Sequence, residues 1–291
     1  MGPRSLGLRL ATAALCALAA AAGITAVSSA GAATLERIND SGVLKLGYRE
    51  DAAPFSYIDK DGQVAGYSVA LCQAIAGAVR THLGRDDIAV EMVPVTAESR
   101  FIDLEAGRVD LLCGADTVTL ERRKRADFSL LTFATGSSVL YRKDGPADFV
   151  ALAGQKVGVR AGTTTESGLK AALGEAGIAA QVVGLESHED GRRALEANEI
   201  SAYFADRAIL ILLASAADKP ENLALSQRFF SYEPYALALQ HGDDDFRLLV
   251  DTTLVRLYRS QAVGKIYQSS FGAAPMSDLL RALFTLQALP D

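Results

Sequence analysis

LEAGRVDLLCGADTVTLERRKR, Leu104 to Arg125, is the stretch from which the rest of the chain can be read. It predicts the end of a helix, a buried strand, a short polar loop and the first turn of another helix. Gly107 is the expected helix stop, and Val109–Cys113 is a near-continuous apolar run of parallel-strand type. Asp116, Thr117 and Thr119 follow at the carboxyl end of that strand, and then Arg122. Ligands of open α/β sheets bind outside the carboxyl ends of strands, which puts a candidate site on this loop. With Thr119 as cap, Arg122 falls in the first helical turn, where the helix dipole is already positive. A cation there opposes helix stability. It makes sense where an anion is held by free backbone N–H groups and the guanidinium together. A solvated basic run, Arg122–Arg125, is the competing reading of the same residues.

The design recurs about 90 residues later. Leu195-Glu-Ala-Asn-Glu-Ile-Ser201 repeats the logic of Leu104-Glu-Ala-Gly-Arg-Val-Asp110, a helix stopped by Asn198 and then a strand, Ala202–Ala205, ending in Asp206. Two matched units suggest two lobes offering strand ends to one cleft, against a chance match of a common helix–turn–strand pattern.

The first 33 residues read as a secretory leader. Arg4 and Arg9 make its charged start, Leu10–Ala22 its apolar stretch, and Ala30-Gly31-Ala32 a small-residue cleavage site. Removing Arg4 and Arg9 takes the formal net charge from −6 to −8. An acidic exported chain argues against nucleic acid as a partner, despite Arg122–Arg125. No later apolar segment is long enough to span a bilayer. Of the cysteines, Cys16 leaves with the leader, and Cys72 and Cys113 remain as an even pair in an oxidising compartment. They form either a disulfide or two separately buried thiols. Two cysteines with His82, His188 and His241 at these spacings do not make a metal site, and no cofactor is expected.

In chain order, a short helix over Thr34–Asn39 precedes strand Val43–Tyr48, which ends in Arg49. A small hairpin turns at Asp59–Gly62, and an amphipathic helix runs from Val69 to about His82. Strand Ile88–Val95 leads to a helix with Arg100 in its first turn. A β-rich run, Thr132–Tyr141, carries the first crossing between lobes. Strand Lys156–Arg160, the loop Ala161–Thr165 and a helix from Glu166 to about Leu173 follow, then strand Gln181–Leu185. Ser187-His-Glu-Asp190 resembles a capping box. Phe229–Gln240 reads as extended chain carrying the second crossing, and the remainder is helical.

Positions expected at one cleft form a consistent set. Arg49, Arg100 and Arg122 are cations. Thr117, Thr163, Thr164 and Ser56 bring hydroxyls, Asp206 a carboxylate and His188 a switchable group. Gly162-Thr163-Thr164 sits at a strand-to-helix junction, a second anion cradle. Asp206 could equally cap the helix that follows it. A neutral amino acid would leave Arg49 and Arg100 as surplus buried cations, so a ligand with a second carboxylate fits better. A protonated His188 would make binding weaken as pH rises. Asp116, as a carboxylate pointing into the cleft, opposes this charge balance. No Gly-x-Ser-x-Gly elbow, His-Glu-x-x-His, P-loop or dinucleotide glycine motif is present, and an enzyme is not expected.

Several motifs in order resemble the family 3 extracellular solute-binding proteins of bacteria, the amino-acid receptors of ABC importers. They are Gly47-Tyr-Arg49 with Pro54-Phe-Ser-Tyr57, Gly66-Tyr-Ser68, Val93-Pro-Val-Thr96 with Arg100, Cys113-Gly114 through Glu121-Arg122, and Asp127-Phe-Ser129. Gly162-Thr-Thr164, His188, Leu195-Glu196 and Asp206 continue the match. The resemblance implies an α/β, two-lobed type II periplasmic binding fold with two hinge strands. Lobe 1 would take 34–132 and 237–291 and lobe 2 would take 137–231, with hinges near 132–136 and 232–236. It implies that Arg122 and Thr117, with Thr163 or Thr164, bind an α-carboxylate, and that Asp206 takes the α-ammonium. In the acidic-amino-acid branch, Arg49, Arg100 and His188 meet the side-chain carboxylate. Ala115 stands where a small hydroxyl residue is usual, and Asp116 where Thr is common. The implied protein is a periplasmic monomer delivering glutamate or aspartate to a membrane ABC permease. The alternatives are a receptor for a signalling partner and a secreted dehydratase on the same fold.

Overall fold

Two left-handed helix stops, Gly107 at φ 67° and Asn198 at φ 63°, release the chain into the middle strand of each of two five-stranded sheets. The computed structural model describes residues 33–146 and 148–290, with Gly2 besides. Apart from Gly2 and Ala33, the expected leader lies outside the described residues.

From Ala33 the chain forms α1 (Thr34–Ser41), β1 (Val43–Tyr48) and the short strands β2 (Asp51–Ala52), β3 (Ser56–Ile58) and β4 (Val64–Ala65). Next come α2 (Tyr67–Leu83), β5 (Ala89–Pro94), α3 (Arg100–Glu105) and β6 (Leu111–Leu112). A 3-10 turn, Arg122–Lys124, leads into β7 (Ala126–Thr135), and β8 (Ser137–Arg142) follows after Gly136. Then come β9 (Lys156–Arg160), α4 (Thr164–Glu175), β10 (Gln181–Leu185) and α5 (His188–Glu196). They are followed by β11 (Ala202–Asp206), α6 (Arg207–Ser215) and β12 (Leu223–Leu225). β13 (Glu233–Gln240), α7 (Asp244–Arg259), α8 (Ala262–Phe271) and α9 (Asp278–Gln287) complete the described chain.

The first sheet has the order β5-β1-β6-β13-β7 and the second β10-β9-β11-β8-β12. In both, the first three strands run parallel, the fourth opposes the third, and the fifth opposes the fourth. The repeated units of the sequence are α3–β6 and α5–β11, and each supplies the middle strand. β2, β3 and β4 make a small antiparallel sheet of their own. The chain passes from the first sheet to the second between Thr135 and Ser137, and returns between Leu225 and Glu233.

Local expectations change in three places. The run Val109–Cys113 pairs as a strand only at Leu111–Leu112. The helix expected after Thr119 is only the 3-10 turn. Thr119 Oγ1 does accept the Arg122 N–H at 3.1 Å, but β7 is already paired to β13 from Ala126 and leaves no room for a longer helix. The extended run from Phe229 joins the sheet only at Glu233.

Helix α2 buries Cys72, Ile75, Ala76 and Val79, one face at helical spacing, in a core shared with Leu44 and Leu46 of β1. Each of the larger aliphatic side chains, Ile75, Val79, Leu44 and Leu46, contributes about 1.5–3 kcal/mol by leaving water. Cys72 and Cys113 are joined in a disulfide with Cα atoms 6.1 Å apart, tying α2 to the end of β6. Among the described residues no helix is long and apolar enough to cross a membrane.

Candidate ligand-binding site

The carboxyl ends of β1, β6, β9 and β11 meet at one narrow cavity of about 20 Å³. Arg49 follows β1, Thr117 lies beyond β6, Thr163 follows β9 and Thr164 opens α4. Asp206 ends β11, and His188 is the first residue of α5. All eight residues proposed from the sequence line this cavity, Arg100 and Arg122 among them, and so does Arg160. Ser56 is buried outside the lining, where its Oγ accepts the Arg49 N–H at 2.8 Å.

The buried cations have partners, which corrects the reading of Arg49 and Arg100 as surplus charges. Arg49 Nε donates to Asp51 Oδ1 at 2.7 Å, and Arg100 Nε donates to Asp116 Oδ1 at 2.6 Å. Burial lowers the Arg100 pKa to about 10 while Asp116 supports its charge, so it stays cationic at neutral pH. Arg160 reaches from the second sheet to Asp51 Oδ2 at 2.9 Å and to Glu98 Oε1 at 2.6 Å. Arg122 donates to the Thr117 carbonyl at 2.8 Å, and its guanidinium lies 5.0 Å from the Phe101 ring centroid. Burial lowers its pKa, against the support of Asp116, Glu233 and Asp206.

Without a ligand carboxylate beside it, His188 is held neutral. Its Nδ1 lies 2.9 Å from the Tyr203 hydroxyl, and burial takes its pKa down to about 3 although Asp51 pulls the other way. At neutral pH the ring is a neutral hydrogen-bonding group. The first turn of α5 also disfavours charge on it.

Asp206 holds the N-cap position of α6, but its side chain makes no capping hydrogen bond and turns to other partners. Oδ1 accepts from Thr165 at 3.2 Å and Oδ2 from the Tyr235 hydroxyl. Burial, then the charge of Glu233, raises its pKa to about 7.

Glu233 was not singled out from the sequence. It is 2% exposed at the start of β13, and its Oε2 accepts from Thr117 at 2.5 Å and from Thr164 at 2.8 Å. Each hydroxyl has one proton, so both threonines turn lone pairs toward the cavity. That arrangement, with the two hydroxyls 3.4 Å apart, suits an ammonium. Thr163 is engaged as well: its Oγ1 donates to the Arg160 carbonyl and accepts the Glu166 N–H, capping α4. The rule that marked Arg49, a charge at the end of a strand, marks Arg160 equally. Glu233 has a signal too, as a lone carboxylate opening an apolar strand. Among the described residues no group of three His, Cys, Asp or Glu could hold a metal ion.

Comparison with known proteins finds relatives over most of the chain. The profile of the bacterial extracellular solute-binding proteins, family 3, matches residues 44–273. The glutamate/aspartate import solute-binding protein of Escherichia coli K12 is 34% identical over 268 residues, 91% of this chain and 89% of that protein. The L-glutamate/L-aspartate-binding protein of Pseudomonas aeruginosa is 32% identical over 240 residues, 82% of this chain and 80% of that protein. Among solved structures, the ancestral amino acid-binding protein that is a precursor of cyclohexadienyl dehydratase matches with TM-score 0.71 and 28% identity, covering 82% of this chain and 99% of the other.

Proposed function

This chain belongs to the bacterial extracellular solute-binding proteins of family 3 and has their two-lobed type II fold, and we propose that it binds glutamate or aspartate for ABC import. The observation carrying this reading is the sorting of charge along one cavity. Asp51, Arg49, Arg160 and His188 act on one another at one end, and Asp206, Glu233 and Tyr235 at the other. Arg122 is the cation that feels both Asp206 and Glu233.

On this reading Arg122 takes the α-carboxylate. The α-ammonium goes to Asp206 and the oxygens of Thr117 and Thr164. Arg49, Arg100 and His188 meet the side chain, and Thr163 holds the N-terminus of α4 against the ligand. At the side-chain end three buried guanidiniums, Arg49, Arg100 and Arg160, stand against the carboxylates of Asp51 and Asp116, with Glu98 half exposed at the rim. With Glu98 counted the charges balance, so a ligand carboxylate there would share these guanidiniums with their present partners, the half-exposed Glu98 being the most screened of them. Lobe 1 would comprise 34–132 and 237–291 and lobe 2 would comprise 137–231, closing about hinges at 132–136 and 232–236. The protein would be exported by its leader, work as a periplasmic monomer and pass its ligand to a membrane permease.

A thermal-shift screen across the amino acids tests the reading. A ligand at 100 times its Kd adds about 2.7 kcal/mol of stability. Glutamate or aspartate should bind at least tenfold more tightly than the matching amide. Glutamine equal to glutamate, or lysine or arginine binding best, would overturn it. One observation favours a second reading, a secreted dehydratase: with a pKa near 7, Asp206 could act as a general acid. Product formed from prephenate or arogenate would decide for that reading.

A further inference from the structure

Asp116 is buried beside the cavity without lining it; its neighbours Ala115 and Thr117 do. Its backbone carbonyl accepts the Ala236 N–H at 3.1 Å, fixing the segment to β13. Oδ1 is bonded to Arg100 Nε, while Oδ2, also buried, has no hydrogen-bond partner among the described residues. The carboxylate lies over Gly114, where a Cβ would come within 2.9 Å of Oδ2 and 3.5 Å of the Arg49 Cγ. Its charge acts on Arg100 and on Arg122, so it sits behind the arginine cluster as a shared counter-ion.

We infer that Asp116 is a specificity-determining residue, a buried negative charge that limits how strongly the arginine cluster prefers a side-chain carboxylate over its amide. The inference rests on the acidic-amino-acid reading above. Asp116 touches no ligand atom. It acts through the field at the side-chain end, where burial keeps charges from being screened as they are in water. A ligand carboxylate there is drawn by three arginines and repelled by Asp116 and Asp51, while an amide feels little of either. The orphaned Oδ2 limits what the substitution disturbs to the counter-charge of Arg100. In Asp116→Asn the amide oxygen can keep the Arg100 bond, and the NH2 replaces an oxygen that has no hydrogen bond to lose.

Titration calorimetry with glutamate and glutamine, on the parent protein and on Asp116→Asn, tests this. The Kd ratio of glutamine to glutamate should rise at least tenfold in the variant, about 1.4 kcal/mol, through tighter glutamate binding. A merely structural role would weaken both ligands together and leave the ratio where it was. A ratio that moves by less than tenfold, or toward glutamine, overturns the inference. Asp116→Ser removes the same charge with a smaller group and should move the ratio the same way if the asparagine variant folds poorly. The parent alone gives a further check, since a preference for glutamate beyond about a thousandfold would leave no attenuation for Asp116 to supply. If the parent binds neither ligand, the functional reading fails and takes the inference with it. If the parent binds and the ratio stays fixed in the variants, only the inference fails.

Discussion

Arg160 donates to Asp51 at 2.9 Å, joining the end of β9 in the second sheet to the small sheet beside the first. Asp51 also holds Arg49, so one carboxylate is shared by two guanidiniums from the two sides of the cavity. Arg160→Met should remove one cation from the side-chain end and weaken glutamate at least tenfold, about 1.4 kcal/mol, while glutamine changes much less. Equal losses for both ligands by calorimetry would show that Arg160 serves only to hold the two sides together.

Arg122→Ala should abolish measurable amino-acid binding, at a cost of about 2–5 kcal/mol, with the fold intact. Its guanidinium packs on Phe101 and donates to one carbonyl, so truncation removes little from the core. Near-parental affinity in the variant would take Arg122 out of the site.

His188 and Asp206 pull the pH dependence of stability in opposite directions. Burial lowers His188 from 6.5 to about 3, so between those values the unfolded chain binds the extra proton. Its contribution is fully present above pH 6.5 and is lost as pH falls. Burial and Glu233 raise Asp206 from 3.8 to about 7, so there the folded chain binds the extra proton, and stability is lost as pH rises through that window. The two offset each other between roughly pH 4 and 6.5. In His188→Gln the Asp206 slope should stand alone, with the urea midpoint rising as pH is lowered from about 7 to about 4.5. A midpoint that still falls in the variant would mean that Asp206 is not raised, and no difference from the parent would mean that His188 is not held neutral. Binding should strengthen as pH rises through about 7, because an ammonium favours ionised Asp206. A protonated His188 would give the opposite slope.

Reduction of Cys72–Cys113 should lower stability by about 4 kcal/mol, from the entropy of closing a loop of 41 residues. The oxidised mature protein should show no free thiol when unfolded without reductant. Two reactive thiols in that assay would remove the bridge.

The strand-end rule read from Leu104–Arg125 finds Arg49, Thr117, Thr163 and Asp206 because each stands just past a strand, a local fact of sequence. The partners of those residues lie beyond local spacing. Glu233 is 116 residues from Thr117 and 69 from Thr164, and Arg160 is 109 from Asp51. No periodicity links positions so far apart. Asp116 shows the same gap. Its sequence position suggests a carboxylate in the cleft, but which way it turns depends on Arg100, brought beside it by α3. The helix expected at Arg122 failed for a tertiary reason as well, the pairing of β7 with β13 from Ala126.

Glu233 fixes the polarity of Thr117 and Thr164 before any ligand arrives, and so gives the site a handedness. An acceptor corner at those oxygens, a donor corner at Arg122 and a cationic far end are three unlike points around one α-carbon. L-glutamate would reach all three at once. Its mirror image, seated by ammonium and α-carboxylate, would send its side chain toward the opposite wall. On the proposed reading, enantiomer selection would depend on the carboxylate that opens β13, and Glu233→Gln should let D-glutamate compete in a displacement titration.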